Sequence, residues 1–140
     1  MLTRVVVVLV ALVVAFAILG ADTPTIKKVP PSRTSAVSGK DMFTNYCAAC
    51  HGPDGKGGGP AVAALKMPPP DLTTLSKRNS GKFPELRVYN TINGDLNLPA
   101  HGSKDMPVWG DVLRSIEKDS AVQQMRVSNI TKYIESIQAK

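Results

Sequence analysis

Aromatic side chains are scarce in this sequence, which has one Trp, three Tyr and three Phe among 140 residues. One of them, Phe16, lies in an apolar N-terminal segment that is not expected to join the core, so the soluble part has little bulk to pack. Glycine and proline number 11 each and favour irregular backbone. A chain this short excludes a large multidomain enzyme, and a loop-rich domain with a small core requires a stabilising group, such as a bound cofactor.

Charge of either sign is not concentrated in any run of the chain. Lys and Arg number 17 against 11 Asp and Glu, a net charge of +6, but from Gly39 to Lys140 the excess is only 13 against 10. No arginine-rich helix and no basic run interleaved with aromatics is present, so the sequence does not support nucleic-acid binding. A weakly cationic face for docking an acidic partner protein remains open.

Long hydrophobic runs are absent except at the N-terminus, where Val5 to Leu19 contains no polar side chain. Fifteen residues lie between the usual length of a signal-peptide core and that of a membrane-spanning helix. Residues 1–21 are therefore interpreted as an N-terminal hydrophobic helix that anchors the chain in a membrane, with a cleaved signal and a soluble product as the alternative. Residues 22–37 contain three prolines and are predicted to form an extended tether, which leaves 38–140 as the domain.

Only two cysteines are present, and they share one motif, Cys47-Ala-Ala-Cys50-His51. This spacing is typical of c-type haem attachment, in which two thiols add across the haem vinyl groups and the histidine lies under the iron. A structural zinc site would need two more good ligands, and the only other histidine is His101. A redox dithiol would be followed by a helix, whereas glycines and a proline follow here, and a disulfide across this spacing would be strained. The motif predicts one covalently bound haem c.

Two segments with helical patterns flank this part of the chain. A Ser-x-x-Asp capping pattern over 38–41 opens the first, in which Gly39, Phe43 and Cys47 follow four apart on one face. The second, 121–138, carries an apolar stripe at helical spacing. The stripe consists of Val127, Ile130, Tyr133, Ile134 and Ile137.

From about Gly39 to its end the chain resembles a class I cytochrome c. The resemblance implies an all-α fold in which three or four helices surround one covalent haem, preceded here by the N-terminal hydrophobic helix. It also implies that the last helix crosses the first closely at Gly39, with Phe43 and Tyr133 packed at the crossing. The helices are predicted near residues 39–52, 60–66, 84–93 and 121–138.

The second axial ligand of the iron is sought among the methionines and the remaining histidine. Met106 precedes a proline between the predicted third and last helices, as in the Met-Pro loop of the resembled family, and is the favoured ligand. Met67, His101 and an open coordination position are the alternatives. Met42 and Met125 lie on the two helices expected to pack together, where methionine usually fills space.

The resemblance implies further contacts to the haem. The second ring nitrogen of His51 is expected to donate to a backbone carbonyl in the loop 52–61, with Pro60 the candidate. Apart from the resemblance, the haem propionates must be solvated or paired, and Trp109 and Arg87 are expected to bond them, with Arg78 and Tyr89 as further candidates.

A haem iron held by His51 and Met106 has no vacancy, so the predicted function is outer-sphere electron transfer and not substrate chemistry. Because c-type haem is attached after export, the domain is expected on the periplasmic side of a bacterial membrane. The expected partners are a quinol-oxidising complex, a terminal oxidase or a reaction centre. A fixed haem subunit of a membrane complex and an open-iron haem enzyme or sensor are the rival functions.

Overall fold

The computed structural model describes residues 33–95 and 109–140. The predicted N-terminal hydrophobic helix, residues 1–21, lies outside the described residues, and only the last five residues of the predicted tether 22–37 fall inside them. None of the helices in the described part has the length and apolar character needed to cross a membrane.

The predicted all-α class is confirmed for the described residues, whose regular elements are all helical. The first helix, α1, spans residues 39–51 in three consecutive parts: the α-helical Gly39–Met42, the π-helical Phe43–Cys47 and the α-helical Ala48–His51. The later elements are the 3-10 turns Val62–Ala64 and Leu72–Thr74 and the helices α2 (Leu75–Arg78), α3 (Glu85–Asn93), α4 (Trp109–Ile116) and α5 (Ser120–Ser136).

Three predicted helices agree with α1, α3 and α5 to within two residues at each end. The helix predicted near 60–66 shortens to one 3-10 turn, because the backbone becomes extended at Leu65 and three prolines soon follow. Helix α4 was not predicted. Trp109, Leu113 and Ile116 recur in it at helical spacing, and this pattern could have revealed it.

Side chains cap two of the main helices at their start. The hydroxyl of Ser38 accepts a hydrogen bond from the backbone N–H of Asp41 at 3.1 Å, as the capping pattern predicts. The carboxylate of Asp119 accepts from the N–H groups of Ala121 and Val122 at the start of α5. These bonds fix the first residues of α1 and α5, the two helices that cross.

The close crossing of α1 and α5 is confirmed. A Cβ built at Gly39 would overlap the carbonyl oxygen of Asn129, so only glycine fits there. The rings of Phe43 and Tyr133 pack beside it, with centroids 5.1 Å apart and planes inclined by 51°. Helix α5 also packs against α3 and α4. The buried hydrophobic residues are Met42, Phe43, Tyr46, Ala48, Ile92, Leu113, Val127, Ile130 and Ile134.

The two methionines expected to fill space in this core behave differently. Met42 is fully buried, whereas Met125 is 38% exposed, so its predicted packing role is wrong. Met125 lies one residue before Arg126, and the side chain that enters the core at this turn of α5 is that of Arg126, which is only 6% exposed.

The hydrogen bonds of the buried Arg126 guanidinium compensate only weakly for its loss of contact with water. One NH1 bond reaches the hydroxyl of Thr34 at 3.4 Å and another the sulfur of Met42 at 3.7 Å, while Nε has no hydrogen-bond partner. Within residues 33–95 and 109–140 no carboxylate forms an ion pair with it. A desolvated cation without an ionic partner is a cost to folding.

Replacing Arg126 by methionine is therefore expected to leave the free energy of unfolding unchanged or to raise it by about 1 to 2 kcal/mol. Chemical denaturation of the haem-containing protein measures the change. Lys132→Met is the control, because Lys132 is an exposed cation on the same helix. A loss of more than about 1 kcal/mol in Arg126→Met alone would show that the two guanidinium bonds outweigh the desolvation.

Candidate haem-attachment site

The Cys-x-x-Cys-His motif occupies the second half of α1. Cys47 ends the π-helical part, where the N–H of Ala48 donates to the carbonyl of Phe43, five residues earlier. A π turn contains one residue more than an α turn, so it rotates the residues that follow relative to an uninterrupted α-helix. The π-helical part therefore sets the direction in which the side chains of Cys50 and His51 project from the last turn of α1.

Both cysteines are partly buried free thiols. Burial raises the pKa of the Cys47 thiol to about 12, and the neighbouring Cys50 adds to the effect. Burial also raises the pKa of Cys50 above its usual value. Neutral thiols argue against a redox dithiol, because such a site lowers the pKa of its attacking cysteine.

The part of the chain that the structure describes also contains no group of side chains arranged to bind a metal ion. No three His, Cys, Asp or Glu side chains of that part come close enough to hold a metal ion. The spacing of the two thiols predicts thioether bonds to a haem.

The loop 52–61 closes the C-terminal end of α1. The last four carbonyl groups of a helix lack partners within it, and here backbone N–H groups of the loop supply all four. Ala48 accepts from Gly52 at 2.9 Å, Ala49 from Ala61 at 2.9 Å, Cys50 from Gly59 at 3.1 Å and His51 from Gly57 at 2.7 Å. The loop thus holds the backbone of the whole Ala48–His51 turn, including the histidine.

Gly59 allows this close approach to α1, and Gly57 allows the same loop to lie against Pro69. A Cβ at Gly59 would overlap the carbonyl oxygen of Ala49 and lie 2.6 Å from that of Ala48. Gly57 has a φ of 90°, and a Cβ there would lie 2.5 Å from the carbonyl oxygen of Pro69. Both positions require a residue without a side chain, since the neighbouring atoms are backbone atoms that cannot rotate away.

Some of the predicted site residues lie at the end of α1 and in the loop that follows it, and the others lie elsewhere in the chain. Cys47, Cys50 and His51 lie together, and Pro60 is exposed in the loop that closes their helix. The ring nitrogen Nδ1 of His51 is buried, and its bond to Pro60 stays a prediction. Met106 lies outside the described residues.

Trp109 and Arg87 lie on other helices. The ring of Trp109, at the start of α4, stacks on Tyr46 with centroids 5.5 Å apart and planes inclined by 28°. Arg87 is exposed on α3. Their predicted bonds to haem propionates stay predictions, and the observed role of Trp109 is to connect α4 to the residue before Cys47.

Tyr46 was missed by the sequence analysis. Its side chain is buried, its ring contacts Trp109, and its hydroxyl lies 2.8 Å from that of Thr34. The available signal was its place next to Cys47, one residue before the motif. Tyr46 joins three parts of the chain beside the attachment site.

These residues fit a covalent haem c. Two neutral thiols lie three residues apart at the end of a helix, the histidine follows with its backbone held by the loop, and glycines remove the side chains that would block the loop's approach. Fold and site together define a small helical protein of the c-type haem class.

Comparison with known proteins agrees. The family model described as Cytochrome c matches residues 36–138. Cytochrome c6 of Bryopsis maxima is 33% identical over 90 residues, which cover 60% of this chain and 81% of that protein. No solved structure matches the chain. The chain belongs to the cytochrome c family. It carries one covalently attached haem c and is a monohaem electron carrier.

Proposed function

We propose that this cytochrome carries single electrons between redox partner proteins on the periplasmic side of a bacterial membrane, with His51 and Met106 as the iron ligands. The observation that supports it best is the closure of the α1 end, where loop N–H groups hold the carbonyls of Cys50 and His51. A rigid ligand backbone suits electron transfer, because little has to move when the oxidation state of the iron changes.

Bound haem supplies an iron that alternates between the ferrous and ferric states. Cys47 and Cys50 would hold the haem through thioether bonds, and the imidazole of His51 would be an iron ligand. A Met106 thioether as the second ligand would favour ferrous iron, and the reduction potential would then be comparatively high. Such a potential suits acceptance from a quinol-oxidising complex and donation to a terminal oxidase or a reaction centre.

The N-terminal parts of the chain are proposed to place this domain. Residues 1–21 anchor it or direct its export, residues 22–37 tether it, and residues 38–140 form the cytochrome domain. The apolar run Val5 to Leu19 supports the first assignment. Where the tether is described, Thr34 and Ala36 bond to side chains of α1 and α5, so the tether contacts the domain before α1 begins.

Met106→Ala tests the ligand assignment. The reduced variant is expected to bind carbon monoxide at pH 7, because removal of the thioether opens the sixth position, and its reduction potential is expected to fall. The wild-type protein is expected not to bind it. Absorption spectroscopy and potentiometric titration measure both properties.

Met67→Ala is the matched control, since Met67 is the alternative thioether and is 57% exposed. It is expected to change neither carbon monoxide binding nor the potential. An unchanged oxidised spectrum in Met106→Ala would remove the assignment, and carbon monoxide binding by the wild type would favour the open-iron enzyme or sensor.

Mass spectrometry of the mature protein, purified separately from membrane and soluble fractions, tests the N-terminal assignment. The expected product is the full chain plus one haem, recovered with the membrane. A chain that begins near Asp22 and is recovered in the soluble fraction would identify residues 1–21 as a cleaved signal. Co-purification with a stable respiratory or photosynthetic complex would favour the fixed-subunit function.

A further inference from the structure

The C-terminal end of the chain is bonded to the segment that follows the proline run. The side-chain oxygen of Gln138 accepts from the N–H of Ser76 at 2.9 Å, and its nitrogen donates to the carbonyl of Leu72 at 2.8 Å. The same nitrogen donates to Ile134 within α5, also at 2.8 Å. One amide thus joins α5 to residues 72–76, more than sixty positions earlier in the chain.

Residues 72–76 need such support. They comprise a 3-10 turn and the start of α2, which is only four residues long, and helices this short are not stable without tertiary contacts. Asp71 orders the beginning of the segment, since its carboxylate accepts from both the N–H and the hydroxyl of Thr73. The bonds from Gln138 attach the segment to the main helix of the fold.

The segment is bonded in turn to the loop that closes α1. The N–H of Leu72 donates to the carbonyl of Gly55 at 2.8 Å, and two residues further on Gly57 donates to the carbonyl of His51 at 2.7 Å. Ile137 packs on the same loop, because a Cβ at Gly55 would lie 2.8 Å from its Cδ1 atom. A continuous set of contacts therefore runs from Gln138 to the backbone of His51.

We propose that Gln138 is a positioning residue for His51. By holding the Leu72 backbone, its amide holds the Gly55 carbonyl and the loop whose N–H groups bond Cys50 and His51. The inference rests on the proposed function in one respect, that His51 is an axial ligand. The chain of hydrogen bonds from Gln138 to the loop does not depend on that assignment.

The test uses the haem-containing protein with Gln138→Ala and Gln138→Glu. Amide hydrogen exchange at Leu72 and Gly57 is expected to become roughly tenfold faster in Gln138→Ala, because three hydrogen bonds are lost. Glutamate still accepts from Ser76 but cannot donate to Leu72, so Gln138→Glu is expected to keep protection at Ser76 and lose it at Leu72 and Gly57. If Gln138→Ala yields no haem-containing protein, Gln138→Glu carries the test.

Two further measurements distinguish positioning from general loosening. The ring-proton resonances of His51 and the reduction potential are expected to shift in both Gln138 variants. Gln124→Ala is the control and is expected to change none of these measurements, because Gln124 is an exposed glutamine on α5.

Faster exchange confined to residues 134–140, with the loop amides, the His51 resonances and the potential unchanged, would overturn the proposal. Failure of the proposed function gives a different result, since the wild-type protein would then show no imidazole ligation while the exchange at Leu72 and Gly57 still responded to Gln138.

Discussion

Replacement of Gly39 by alanine is expected to lower the free energy of unfolding of the haem-containing protein by at least about 3 kcal/mol. A Cβ at this position would overlap the carbonyl oxygen of Asn129 and lie 2.7 Å from its carbonyl carbon. Both are backbone atoms of α5, so no change of side-chain rotamer relieves the overlap and the helices have to separate. Chemical denaturation followed by haem absorption measures the loss.

Lys40→Ala is the matched control for this variant. Lys40 is exposed in the same turn, and alanine is a good helix former, so a change within about 0.5 kcal/mol is expected. Equal denaturation midpoints for Gly39→Ala and the wild type would contradict the close crossing of α1 and α5.

Replacement of Gly59 by alanine is expected to have a similar cost, again about 3 kcal/mol, with a change in the haem site as well. The new Cβ would overlap the carbonyl oxygen of Ala49, and the loop can avoid it only by moving away from α1. That movement breaks the bonds to the carbonyls of Cys50 and His51. A destabilised protein with an altered reduction potential is the expected result, measured by denaturation and potentiometric titration.

Gly58→Ala provides a control at the adjacent position. A Cβ at Gly58 meets nothing within 4 Å, and its φ is not in the left-handed region. Alanine there is expected to be neutral or stabilising by about 0.5 kcal/mol, because it restricts the unfolded chain. If Gly58→Ala and Gly59→Ala lowered the free energy of unfolding equally, the loss would come from restricting the loop backbone and not from a clash with the end of α1.

The small core explains why the attachment site and the fold depend on each other. Nine hydrophobic residues are buried in the described part of the chain, and seven of them lie on α1 or α5. Tyr46 and Ala48 belong to this core and directly precede or lie within the motif, so the helix that carries the cysteines is also a principal packing element. A covalent cofactor at the end of α1 adds stability to this small core, as the scarcity of aromatic residues predicts.

Features that depend on short sequence distances were predictable. The spacing of Cys47, Cys50 and His51 specifies its chemistry within five residues, and the Ser38 cap defines the start of α1 within four. The crossing at Gly39 was also expected, although its evidence there was the resemblance to class I cytochromes c. Repeating apolar positions indicated α5 because helical periodicity is a local property.

Other features required the tertiary structure, because they join groups that no local pattern connects. The ring of Trp109 stacks on Tyr46, a contact between α4 and α1 that no local pattern indicated. Gln138 follows the last helix as an ordinary polar residue, yet its amide bonds Ser76 and Leu72, which lie 62 and 66 residues earlier. Only the folded arrangement decides which distant backbone groups such an amide meets. The cysteine pair that attaches the haem could thus be found from the order of amino acids, whereas the backbone groups that Gln138 contacts are defined only by the folded chain.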